Sequence, residues 1–178
     1  IEHATYIHET TLALTYAEAD ELRNLRAISE WAAHASELAG QMRGLVTYYV
    51  GARQPIPPQV RHQLHSLEHK IEHNTDVLRN VEPRIQQAPE LRQAIRDLDK
   101  AFPPELTQMR KVILAAAASG DYPVDYEIWL AMATRAVAGL ARVATTSSNS
   151  IEAAATERQQ AAARAIVWLL ILGILAMG

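Results

Sequence analysis

The sequence predicts an all-α protein, an up-down-up-down antiparallel four-helix bundle whose last helix continues into a transmembrane helix. Apolar residues recur every three or four positions along most of the chain, which is the spacing of one buried helix face. The apolar fraction is 49%, much of it alanine, and aromatic residues make up only 6%, a composition that favours helices over sheets. Prolines occur in a few clusters, which divide the chain into four long segments.

The first helix is predicted over about residues 1–51. Its apolar face steps by three and four through Leu25, Ile28, Ala32, Ala35, Ala39, Met42, Val46 and Tyr49. The pattern is looser before Leu22, so we interpret residues 1–20 as a membrane-proximal helical extension. Gly51 is the expected C-cap, and Pro57 and Pro58 stop one helix and open the next.

The second helix is predicted from Pro58 to about Gln87, with a kink at Pro83. Its apolar face is Val60, Leu64, Leu67, Ile71, Leu78, Val81 and Ile85, interrupted by Asn74. The third helix is predicted from Pro89 to Gly120 and is kinked or restarted at Pro103-Pro104. Its inward-facing residues are Leu91, Ile95, Leu98, Phe102, Leu106, Met109 and Ile113.

The last helix is predicted to start near Val124, after a turn at residues 120–123, and to have no internal breaker. Its apolar face is Ile128, Met132, Ala136, Leu140 and Val143, and we expect local looseness in the Ser/Thr/Asn-rich residues 145–150. The chain ends in 14 uncharged, apolar residues, 165–178, whereas a membrane-spanning helix needs about 20. We therefore predict a bundle over residues 21–160 and the start of a truncated transmembrane helix over 161–178.

Charge and motif content exclude several classes of function. The net charge is −3 and no basic block occurs, so a nucleic-acid partner is not expected. The chain contains no cysteine, which excludes disulfides and thiol chemistry. No phosphate loop, metalloprotease motif or Ser/His/Asp set occurs, so we expect neither enzymatic activity nor a cofactor in this chain. Because the chain begins at Ile1 without a methionine, we expect it to be a fragment.

Four histidines lie close together in the second predicted helix. His62, His65, His69 and His73 fall within 12 residues, and the last three share one helix face because they are spaced by four. Imidazoles at this spacing can chelate zinc, copper or nickel, and histidine can also sense pH. The apolar face places this row outward, so we favour a solvated polar stripe and keep a metal-binding module as the alternative.

Arg43 is the candidate ligand-binding residue, with a surface arginine that extends out of the bundle as the alternative. It lies between Gly40 and Gly44, one position off the apolar face, and we expect these glycines to let a neighbouring helix approach closely. A guanidinium can bind a carboxylate, nitrate or other small planar anion with paired donors. Tyr48 and Tyr49, one turn further on, are candidates for the same pocket, although tyrosines so placed are more often simply core and rim residues. Trp129 is predicted as a core anchor, with a pocket wall as the alternative.

Two segments resemble a known family. Gln41-Met42-Arg43-Gly44-Leu45, followed by a tyrosine pair and a proline-rich loop, resembles the end of helix one in the nitrate- and nitrite-sensing domain family. The sequence pattern of the family at this point is close to Q-x-E-R-G-L, so Met42 occupies the position of a glutamate. The segment Gly120-Asp121-Tyr122-Pro123, followed by Trp129 and Thr134, resembles the opening of helix four. The Ala39-Gly40-x-x-Arg43 spacing is also similar to the anion-binding box of nitrate-sensing kinases and type IV pilus chemoreceptors.

The resemblance implies an extracytoplasmic sensor of a bacterial receptor, held in the inner membrane with the bundle in the periplasm. The full-length protein would then be a histidine kinase, a diguanylate cyclase or a chemotaxis transducer, and we favour the kinase of a two-component system. The resemblance also implies a homodimer that binds a small molecule or anion between its helices, with Gln41 in the site beside Arg43. A structural, dimerising ectodomain is the competing hypothesis.

Overall fold

The computed structural model describes the backbone of residues 2–85 and 88–177 and the side chains of residues 20–85, 88–168 and 171. Every regular element in these residues is helical, which confirms the predicted all-α class. The elements are α1 (Glu2–Ala52), α2 (Pro58–Val81), a 3₁₀ turn (Glu82–Arg84), α3 (Pro89–Arg96), α4 (Leu98–Ala101), α5 (Pro104–Ala115) and α6 (Tyr126–Met177).

The chain divides into two compact units. One comprises Ala27–Thr146, and the other combines the residues up to Arg26 with those from Ser147 onward. In the second unit, the buried Ser147 hydroxyl donates a 2.6 Å hydrogen bond to the Leu25 carbonyl. The looseness predicted for residues 145–150 is wrong, because α6 runs through them without interruption.

Within Ala27–Thr146, α1 and α6 are antiparallel neighbours. Ser29 donates to the Ala144 carbonyl, Ser36 to the Val137 carbonyl, and Arg43 to the Thr134 hydroxyl. The residue numbers rise along α1 as they fall along α6, which defines the antiparallel direction. These hydrogen bonds fix the register of the two longest helices in the described chain.

Helix α2 is also antiparallel to the segment that follows it. Ion pairs join Glu82 to Arg96, Arg79 to Asp99, and Glu68 to Arg110. The buried side chains come from all of these helices and include Ile28, Leu64, Leu78, Leu91, Leu98, Ile113 and Leu140. Most of the predicted apolar faces are therefore correct. Ile128 is an exception, since 52% of its surface is exposed.

Prolines shape the middle of the chain more strongly than predicted. Helix α2 ends at Val81, so Pro83 terminates it rather than kinking it, because a proline inside a helix has no N–H to donate and clashes with the preceding turn. The predicted end at Gln87 lies outside the described residues. The predicted third helix is three pieces, restarted at Pro104 as expected, and it ends at Ala115 rather than Gly120.

The end of α1 differs from the predicted glycine cap. Gly51 lies inside the helix, and Arg53 takes the left-handed conformation at φ 50°. The Arg53 N–H donates to the Val50 carbonyl and the Gln54 N–H to the Tyr49 carbonyl. This pair of hydrogen bonds is the Schellman motif, in which glycine usually occupies the left-handed position.

No helix in the part of the chain that the structure describes combines the length and the apolarity needed to cross a membrane. Half of the side chains of the predicted transmembrane start over 161–178, those of residues 169, 170 and 172–178, lie outside the described residues. Ile166, Val167, Trp168 and Ile171 are described, and each is more than two-fifths exposed.

The close helix approach in this chain occurs at Gly139 rather than at Gly40 or Gly44. A Cβ atom added at Gly139 would lie 2.6 Å from Ala101 Cβ, whereas a Cβ at Gly40 or Gly44 would meet nothing within 4 Å. The prediction that the two earlier glycines admit a neighbouring helix of this chain is therefore wrong. Gly139 was not singled out by the sequence, because nothing local distinguishes it from the other helical glycines.

We expect Gly139→Ala to destabilise the protein by about 1–3 kcal/mol, because the added methyl overpacks the contact with α4. Gly44→Ala is the matched control and should stabilise by up to about 1 kcal/mol, since alanine has the higher helix propensity and the space is open. Urea denaturation followed by circular dichroism measures both. Equal stabilisation by the two variants would contradict the close contact.

Candidate functional site

The structure brings Arg43 to α6. Its side chain is half-buried, and Nη1 donates a 3.2 Å hydrogen bond to the Thr134 hydroxyl. No ion pair involves Arg43 within the described side chains. A guanidinium whose described partner is a neutral hydroxyl retains donors for an anion. The contact also joins Arg43 to Thr134, two residues that come from the two family-like segments.

The other predicted site residues do not gather around Arg43. Gln41 is exposed and its amide donates to the Glu37 carboxylate at 3.3 Å on the same helix. Trp129 is 1% exposed, which makes it a core residue rather than a pocket wall. Tyr48 and Tyr49 contact each other edge to face, with ring centroids 5.0 Å apart. Tyr48 is 62% exposed, whereas Tyr49 is half-buried.

Tyr48 instead lines a cleft of about 720 Å³ between the end of α1 and the start of α6. The lining residues are Thr47, Tyr48, Val50, Gly51, Ala52 and Arg53 from the first segment and Tyr122, Val124, Asp125, Tyr126 and Glu127 from the second. Gly51 lets the two segments approach, because a Cβ there would lie 3.0 Å from the Tyr126 ring. The cleft is thus lined by three tyrosines and carries charges of both signs.

Two local motifs hold the charged residues of the cleft. The Schellman motif at the end of α1 fixes the backbone of Arg53. Asp125 is the N-cap of α6, since its Oδ1 accepts the Glu127 N–H at 2.7 Å and the Ile128 N–H at 3.1 Å. Both capping bonds use one oxygen, which leaves Oδ2 to accept a hydrogen bond from a ligand.

Tyr122 ties the loops beneath the cleft together. Its hydroxyl donates a 2.7 Å hydrogen bond to the Gln54 carbonyl, and the nearby Ile56 N–H donates to the Ala117 carbonyl at 2.7 Å. Burial, and secondly the neighbouring Tyr49, raises the pKa of the Tyr122 phenol. The phenol therefore stays protonated and keeps donating at neutral pH.

The histidine row faces outward, as the sequence predicted. His62, His65, His69 and His73 are exposed, and the His65 imidazole lies 3.8 Å from the Glu68 carboxylate. Among the described residues, no three His, Cys, Asp or Glu side chains are arranged to hold a metal ion. The row therefore presents separate imidazoles to solvent rather than a formed chelating site.

Arg110 is a buried charge that the sequence analysis missed. It is 8% exposed on α5 and lies 3.4 Å from the Glu68 carboxylate and 3.6 Å from that of Glu72. With Met42 and Leu64 it lines a small cavity of about 10 Å³. Its spacing from Leu106 and Ile113, four and three positions away, was the available signal, because it places Arg110 on the buried face.

The sequence analysis also missed most of the cleft. Arg53, Asp125 and Glu127 flank predicted breaks, where a charged residue is ordinary and carries no periodic signal. The Asp125 cap could have been found from its position before the first turn of α6.

No protein-family model matches this chain, and no curated protein or solved structure matches it either.

Proposed function

We propose that this chain is the extracytoplasmic sensor domain of a bacterial membrane-bound receptor, with a histidine kinase as the favoured output and a cyclase or chemotaxis transducer as the alternative. The observation that carries the proposal is the pairing of the first and last helices. These helices have 51 and 52 residues and are hydrogen-bonded as antiparallel neighbours within residues 27–146. Long terminal helices provide a continuous element through which a displacement at a ligand site can be transmitted.

An antiparallel four-helix bundle is the arrangement we propose for this sensor. The α1–α6 hydrogen bonds and the ion pairs of α2 with α4 and α5 support it, since each joins antiparallel neighbours. Residues of α1, α2 and α5 also line one small cavity, and Gly139 of α6 lies against α4. These contacts account for all four sides of such a bundle.

We further propose that the apolar end of α6 enters the inner membrane and that the bundle lies in the periplasm. The exposed Ile166, Val167, Trp168 and Ile171 support this, because a helix end of this composition would bury its apolar surface in a bilayer. Trp168 also suits the interfacial depth at which membrane tryptophans concentrate. The functional unit is a parallel homodimer, since a displacement is most simply read by one protomer moving against its twin.

The site at Arg43 accounts for sensing of a small anion. The Arg43 guanidinium, whose described hydrogen bond goes to a neutral hydroxyl at an exposed position, gains a charge partner when an anion binds. A thermal-shift screen of the whole chain against small anions and other metabolites tests this, since a ligand at 100 times its Kd stabilises by about 2.7 kcal/mol. The same ligand should change the output of the full-length receptor, and a ligand that binds without changing it would contradict the sensor function.

We expect Arg43→Ala to abolish binding of a sensed anion while leaving the protein folded, because the guanidinium is its charged partner. Arg43→Lys should bind weakly, since an ammonium lacks the paired planar donors. Titration calorimetry measures both affinities. Thr134→Val removes the described hydrogen-bond partner but keeps the charge, so it should retain binding. Unchanged affinity in Arg43→Ala would remove Arg43 from the site.

A further inference from the structure

The cleft between the end of α1 and the start of α6 contains charges of both signs that do not neutralise one another. Arg53, Asp125 and Glu127 all line it, yet none of the three joins an ion pair within the described side chains. Some exposed arginines of the chain do form ion pairs, as Arg79 does with Asp76 and Asp99. The three charges thus line one cleft without an ion pair among them, although Asp125 also caps α6 through Oδ1.

We propose that this cleft binds a small zwitterion, a free amino acid or its N-methylated betaine. A ligand with a single negative charge would meet the two carboxylates, and one with a single positive charge would meet the guanidinium. A zwitterion can pair with the groups of both signs, with its carboxylate bound to Arg53 and its ammonium bound to Asp125 and Glu127. The site does not include Arg43, so it is separate from the proposed anion site.

The neutral lining suits the rest of such a ligand. Tyr48 and Tyr126 are 62% and 39% exposed, so their rings are available to a bound molecule. Phenol rings provide apolar surface for a side chain and attract an ammonium through their faces. The volume of about 720 Å³ accommodates an amino acid with a large side chain.

The backbone of Arg53 provides a variant that tests the cleft. Arg53 takes the left-handed conformation at φ 50° as part of the Schellman motif that ends α1, and glycine would occupy the same position without strain. Here arginine provides the positive charge of the cleft.

The test is a thermal-shift and calorimetric comparison on the whole chain with three probes that share one ring. These are phenylalanine, which is a zwitterion, phenethylamine, which is a cation, and 3-phenylpropionate, which is an anion. The standard amino acids and glycine betaine complete the panel and distinguish a primary from a quaternary ammonium. We expect at least one zwitterion to raise the Tm, and its amine and acid analogues at equal concentration to leave the Tm unchanged.

Arg53→Gly separates binding from folding. Without ligand its Tm should rise by about 2–4 °C, since glycine takes the left-handed conformation without strain. Its affinity for the zwitterion should fall about tenfold or more, because a charge-assisted hydrogen bond is lost. Lys111→Ala removes the same charge from the exposed face of α5, outside the cleft, and should bind normally.

Absence of any zwitterion-induced shift would overturn the proposal, as would equal binding by the amine or acid analogues or unchanged affinity in Arg53→Gly. An anion that acts through Arg43 would then leave the sensor function standing. Zwitterion binding in the cleft without a change in receptor output would support the cleft and leave the sensor function to be tested at the anion site of Arg43.

Discussion

Arg110→Ala should lower the free energy of unfolding by about 3–5 kcal/mol, the range found when one partner of a buried ion pair is removed. Arg110 is 8% exposed and lies between Glu68 and Glu72, whose side chains are 17% and 50% exposed. The substitution would leave the Glu68 carboxylate in a largely desolvated position without its cation. It would also enlarge the cavity that Arg110 lines beside Met42 and Leu64. Urea denaturation at neutral pH measures the loss.

Arg79→Ala is the matched control for this prediction. Arg79 also lies between two carboxylates, at 3.2 Å from Asp76 and 2.9 Å from Asp99, so its ion pairs are shorter than those of Arg110. Arg79 is 40% exposed, however, and exposed ion pairs contribute less than about 1 kcal/mol. Burial rather than ion-pair distance should therefore decide which of the two variants loses more stability. A loss in Arg110→Ala no larger than that in Arg79→Ala would show that the Arg110 pair is effectively solvated.

A double variant separates the charge from the packing. Arg110→Met with Glu68→Leu replaces the pair by apolar side chains and should recover most of the stability, because no buried charge is then left unpaired. Arg110→Met alone should remain destabilised, since Glu68 keeps its charge. If the single and double variants are equally stable, the lost packing rather than the unpaired carboxylate accounts for the effect.

The periodicity of the apolar residues predicted the helical class and most buried faces, because the residues on the buried side of a helix recur about every 3.6 positions. Leu64, Leu67 and Ile71 are buried as that pattern requires. The same pattern assigns a charged residue to the exposed face. It therefore did not predict the burial of Arg110, which depends on glutamates of another helix. The helix ends were less predictable. Arg53 takes a left-handed conformation that its residue type disfavours, so the residue type did not indicate it.

For the candidate sites, too, the sequence predicted single residues but not which residues lie together. The sequence selected Arg43 and Tyr48, but the structure places them on different parts of α1, one beside Thr134 and the other in the cleft. The cleft depends on segments about 70 residues apart in the chain, so no local motif describes it. Glycine is equally ambiguous in sequence. Gly40 and Gly44 have the spacing of a close helix approach, yet a Cβ at either would meet nothing within 4 Å, whereas one at Gly139 would lie 2.6 Å from Ala101 Cβ.

Trp129→Ala should destabilise the protein by about 3–5 kcal/mol, the usual loss for truncating a buried tryptophan. Trp129 lies near the start of α6 and is 1% exposed, so the variant leaves a large cavity in the core. Trp31→Ala is the matched control, since Trp31 is 37% exposed on α1 and its truncation should cost far less. Thermal and urea denaturation of the two variants measure the difference, and equal losses would contradict the core role of Trp129.

Trp129→Phe should be milder than Trp129→Ala for a reason beyond its size. The buried Trp129 Nε1 has no hydrogen-bond partner among the described residues. An unpaired buried donor costs free energy, so the tryptophan pays a penalty that phenylalanine avoids. Phenylalanine loses part of the packing but also removes that donor, and it should recover more than half of the stability lost in Trp129→Ala. Recovery of less than half would indicate that the indole fills a space that phenylalanine cannot occupy and that its N–H is satisfied in solution.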